Sequence, residues 1–206
     1  MWYWRDEDFS ILSEASQIAS GNPAWVEYAK YCELLERGLR KDALGHLSKF
    51  IESSSVWSFA EKKKFVSWLY RYAYPKRFLN QLLPHPLRVE LLEPALAEWI
   101  CREPENSEPH RWIGGIEHLN EAVRLNPVDE IACHLLANTI LGHVGYSTHE
   151  LPYGYIGNPE EDLSLLRDAE SAINKISDAE KRSEYHDEIM EMRKNIYAYL
   201  NGEAET

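Results

Sequence analysis

The chain has 206 residues, 44% of them hydrophobic and 12% aromatic. That supplies enough apolar surface for one folded domain, at most two small ones, and excludes a disordered polypeptide. The formal net charge of −12 disfavours nucleic acid and anionic membranes as partners and favours a basic one.

Helical spacing of apolar residues runs almost end to end, so the predicted class is all-α: about nine helices in an irregular array of stacked hairpins, forming a single domain over 1–206. Met1-Trp2-Tyr3-Trp4 leads directly into charged residues without the apolar core of a signal peptide. A first helix is predicted from about Phe9 to Ala19. Gly21-Asn22-Pro23 ends it and caps the next, which presents Trp25, Tyr28, Ala29, Cys32 and Leu35 as its apolar stripe. A third is expected from about Lys41 to Ile51. Ser58 with Glu61 predicts a capping box for a fourth, with Phe65, Trp68, Leu69 and Tyr72 inward and Lys62-Lys63-Lys64 outward.

Residues 75–86 hold Pro75, Pro84 and Pro86 and are the predicted subdomain boundary, between N-terminal helices (1–74) and the helices of 87–200. A fifth helix from Leu87 to Cys101 contains Pro94, which is expected to kink it or restart it at Glu93. The segment Ser107 to Leu125 is interrupted by Gly114-Gly115, and a helix from about Val128 to Gly142 follows. Residues 142–158 are predicted as a long loop rich in Gly, Tyr and His: either a flexible aromatic segment that clamps a partner, or an Ω-loop packed on its own hairpin. Asn158 with Pro159 caps the next helix, Ser177 with Glu180 is the expected cap of the last, and 201–206 is a tail.

Two phrases carry a family likeness. Ala122-Val123-Arg124-Leu125-Asn126-Pro127 resembles the Ala-Leu-x-Leu-Asp-Pro ending of a tetratricopeptide-repeat second helix, and Trp99 to Pro104 with Glu105-Asn106 and Trp25-x-x-Tyr28-Ala29 are weaker echoes. The two proline-ended phrases stand 23 residues apart, where that family's period is about 34. The resemblance implies a TPR-like scaffold that binds a protein or peptide rather than a catalyst.

Charge is unevenly spread. Residues 60–90 hold seven Lys/Arg against two Asp/Glu, residues 103–150 two against eight, and residues 160–206 six against thirteen. A groove around 95–160 is therefore the predicted partner site, with Trp112, His134, Asn138, Tyr146, Tyr153 and Tyr155 as contacts. Glu117, Glu121, Asp129 and Glu130 would steer a basic partner, an inhibitor or immunity-type role being one version. A second copy of the chain is a further candidate partner.

The alternative is an enzyme built on His110, His118, His134, His143 and His149, since five of eight histidines fall between 110 and 149. Glu130, His134 and Asn138 make a polar line at four-residue spacing. No metal-ligand spacing, phosphate loop or nucleophile elbow is present, so neither metal nor cofactor is expected. Lys62 to Phe78 interleaves cations with aromatics, but helical phase turns the rings inward, so a solvated cationic face is preferred over a nucleic-acid surface. Cys32, Cys101 and Cys133 are read as reduced, buried thiols. With no run long enough to span a bilayer, a cytoplasmic location is expected.

Overall fold

A computed structural model describes residues 6–76, 80–151 and 153–202. The readings made for Met1-Trp2-Tyr3-Trp4, for Arg77 and Phe78, and for the last four residues of the tail lie outside the described residues. Helices and turns make up the rest, with no strand among the described residues, and no helix there is long and apolar enough to cross a membrane. The all-α class follows. Contacts group the chain into two compact units, Met1–Pro104 and Glu105–Thr206, and the proline-rich segment 75–86 falls inside the first.

In the first unit α1 (Asp6–Ser20) leads through a 3-10 turn (Pro23–Trp25) into α2 (Val26–Glu36), α3 (Arg40–Ser54) and α4 (Phe59–Ala73). The caps are those written in the sequence. The Asn22 side chain accepts the Ala24 N–H at 3.1 Å, and Ser58 and Glu61 form both halves of a capping box. Further on, α5 (His85–Leu87) passes through a π segment (Arg88–Leu92) into α6 (Glu93–Arg102). Pro94 brings no N–H and crowds the carbonyl four residues back, so the helix widens ahead of it: the Glu93 N–H bonds the Arg88 carbonyl, five residues away.

Aromatic rings fill this unit's core. Trp25 stacks on Trp68 at 4.9 Å, and Phe65 meets Phe50 at 4.8 Å and Tyr28 edge-on at 5.3 Å, joining α2, α3 and α4. The hydroxyls of Tyr28 and Tyr31 donate to the carbonyls of Leu82 and Gln81 at 2.8 and 2.6 Å, fastening the segment before α5. Burial pushes the Cys32 thiol up to about 12, so it stays protonated. Cys101, expected to be buried, is exposed. The lysines of α4 are less free than a solvated face would leave them. Lys62 pairs with Glu98, and Lys63 with Glu103 at 2.6 Å while lying 4.7 Å over the Trp99 ring.

The second unit comprises α7 (Ser107–Ile113), α8 (Gly115–Leu125), α9 (Glu130–Thr148), α10 (Pro159–Ile173) and α11 (Ala179–Leu200). Helix α9 is its spine. Cys133, Leu136, Ala137, Ile140, Leu141 and Val144 are buried between Leu119 and Val123 of α8 on one side and Leu166, Ile173, Ile189 and Ile196 of α10 and α11 on the other. That two-sided burial carries α9 through Gly142 and Gly145 to Thr148, so the helix does not end at Gly142 and the predicted loop shrinks to 149–158. Asp178, one residue after the expected Ser177, caps α11 by accepting the Lys181 N–H at 3.0 Å.

Candidate functional site

Asp129 caps α9: its Oδ1 accepts the Ala132 N–H at 3.1 Å, and its Oδ2 meets Arg111 Nη1 of α7 at 2.5 Å. Arg111 also reaches Glu108 and lies 4.2 Å over the Trp112 ring, whose Nε1 donates to Glu108 at 3.2 Å. Arg111, Trp112 and Asp129 are all more than nine-tenths buried. Two of the predicted contacts, Trp112 and Asp129, thus build the junction of α7 with α9. Sequence reading missed Arg111; its signal was a lone cation beside Trp112 in the short segment ahead of Gly114.

Two members of the polar line of α9 turn to α11 and the turn before it. Glu130 accepts the Ser177 N–H at 3.0 Å and His134 Nδ1 lies 3.2 Å from the Tyr185 hydroxyl, while Asn138 is exposed. Burial holds the His134 imidazole below its ordinary range. Glu130 and His134 seat the start of α11 on α9. On α8, Glu121 is locked to Arg124 through two contacts of 2.7 Å, and Glu117 is exposed.

At the other end of α9 the surface is different. Asp162, in the first turn of α10 and 2% exposed, accepts the Tyr155 O–H at 2.6 Å and faces His143 Nε2 at 3.2 Å. Burial and the neighbouring Asp162 carboxylate hold the Tyr155 hydroxyl protonated well above its usual range. Tyr155 packs on Tyr199, and the Ile156 N–H bonds the Ser147 carbonyl at 2.9 Å. The described part of the connection, 149–151 and 153–158, is in this sense a packed turn. From it and the last turn of α9 project Tyr153, 91% exposed, and Tyr146, 63% exposed, the latter stacked on His149 at 5.1 Å.

The predicted contact set therefore divides. Asp129 and Glu130 stand at the start of α9 and Tyr146 sixteen residues beyond Glu130, about 24 Å along the helix. The histidines divide as well: His110 meets His118, His134 meets Tyr185, His143 meets Asp162 and His149 meets Glu150. Among the described residues no three His, Cys, Asp or Glu side chains are placed to share a metal ion.

Unanticipated from sequence is a cleft of about 400 Å³ in the first unit, between α3, the first turn of α4, and the π segment with α6. Glu52, Glu90 and Glu98 line it with Lys62, above apolar Ile51, Leu91 and Ala95. No protein-family model matches the chain, and neither a curated protein nor a solved structure does.

Proposed function

We propose that the chain is a non-catalytic, TPR-like binding scaffold. Its second unit receives a protein or peptide partner on the surface made by Tyr146, Tyr153 and Ile156 at the end of α9. The observation that carries this reading is the exposure of two tyrosines on a frame held by Asp162, Tyr155 and Ser147, whereas the rings of the first unit's core are spent on one another. Large amphipathic rings with few rotatable bonds give contact area at low entropic cost.

The partner is basic in this reading. Residues 105–206 hold eight Lys/Arg against twenty Asp/Glu and so carry the whole net charge of −12, while residues 1–104 hold fourteen of each. The histidines of 110–149 stand in separate pairs rather than converging on one pocket, which supports binding over catalysis as the role of this region.

A photo-cross-linking residue at position 153 tests it in cells, with the same residue at Val56, 87% exposed in the first unit, as the control. A single basic protein joined at 153 but not at 56 is expected. Tyr146→Ala should weaken its binding by about 2 kcal/mol and change stability by less than about 0.5 kcal/mol. Equal cross-linking from both positions would overturn the assignment.

A further inference from the structure

We infer that His110 and His118 form a proton-operated latch between α7 and α8. Their Nδ1 atoms stand 3.0 Å apart and their ring centroids 5.3 Å apart. The second distance is what two imidazole radii add to the first, so the two lone-pair axes point at each other. One hydrogen fits between them. With both rings neutral, one is the Nδ1–H tautomer and donates while the other accepts. A first added proton goes to the far Nε2 of the donor ring and leaves the bond intact. A second has only the accepting Nδ1 to occupy, and two N–H groups then face each other with two positive charges. The pair tolerates one proton and opens on the next.

The surroundings favour that behaviour. His110 is 8% exposed, and burial, followed by His118, holds its imidazole below the ordinary value. The charged groups acting on it from α8 are Glu121 and Arg124, opposite in sign and paired to each other. On its own helix Glu108 and Arg111 engage each other, and Arg111 turns to Asp129 at the start of α9. With its proton affinity depressed, His110 contributes stability that is present above the unfolded-state value and is lost as the pH falls through the folded one.

The chain between the rings is built to bend. Gly114 (φ 75°, ψ −166°) and Gly115 (φ 75°) occupy backbone regions that disfavour side chains, and a Cβ at either would touch nothing within 4 Å. Helix α7 stays tethered to α9 through Arg111 and Asp129, so release frees the bend without unfolding the unit.

The test is an imidazole NMR titration of the full chain from about pH 8 to pH 5, the window in which histidine normally charges. Amide exchange of residues 107–125 is followed alongside, corrected for intrinsic rates. The pair should take up its first proton with exchange unchanged and its second only toward the acid end of this range, with exchange rising about tenfold as the second enters. His118→Gln, whose amide accepts the Nδ1–H at every pH, should keep exchange flat. Uptake of two protons with unchanged protection would overturn the latch, as would a His118→Gln protein that loosens in acid like the original. Should that variant fail to fold, the titration of the unaltered protein decides alone.

Discussion

The most consequential single residue of the second unit is Arg111, because it is a buried cation whose counter-charges come from two elements. Asp129 neutralises it from the α9 cap and Glu108 from its own helix. Removing one partner of such a pair strands the other, so Asp129→Asn should cost about 3–5 kcal/mol, read by urea unfolding followed by amide exchange of the second unit. Asp129 was visible in the sequence as an acidic residue near the start of a helix, read as steering a basic partner. Its pairing was not, because the cation lies 18 positions earlier and only the folded bend at Gly114 brings them together. The polar line of α9 teaches the same lesson. Spacing placed Glu130, His134 and Asn138 on one face, but whether that face met solvent or α11 was a tertiary matter. His134, kept below its ordinary value by burial, and Glu170, kept below its own by Arg193 at 2.7 Å, both favour the deprotonated form in the fold. Stability of this unit should be full above the unfolded histidine value near 6.5. It should fall as acid passes first through the histidine range and then through the carboxylate range. Denaturant midpoints at stepped pH check this.

At the scale of elements, local chemistry was legible and packing was not. The Asn22 and Asn158 caps, the Ser58–Glu61 box and the break at Gly114-Gly115 depend on neighbours within a few positions, and each stands where it was read. Helix α9 escaped that reading: two glycines signalled a stop, but burial of Leu141, Val144 and Ser147 outweighs their poor propensity. The π segment escaped likewise, since Pro94 announces a disturbance without saying which form it takes. Two substitutions probe these elements. Gly114→Ala places a side chain where φ is 75° and ψ −166°, a region close to glycine-only, and should cost about 1–3 kcal/mol with α8 otherwise intact by circular dichroism. Tyr155→Phe removes a donor from buried Asp162; it should cost about 1–3 kcal/mol and speed amide exchange in 149–158, leaving α7 and α8 unaffected.

Across the whole molecule, charge is partitioned: the first unit is neutral by composition and the second holds an excess of twelve acidic groups in about half the chain. Self-repulsion of that density is relieved by counter-ions. Raising salt from about 0.05 to 0.5 M should therefore slow exchange of the deepest amides of α9 and change those of α2 and α4 little. The tryptophans are partitioned too. Of seven, only Trp112 belongs to residues 105–206, and it sits beneath the Arg111 guanidinium. Intrinsic fluorescence is consequently almost a private signal of the first unit. A melting curve recorded from indole emission would describe α1 to α6, and the second unit would lose its structure nearly in the dark unless Trp112 itself were watched against a background cleared of the other six.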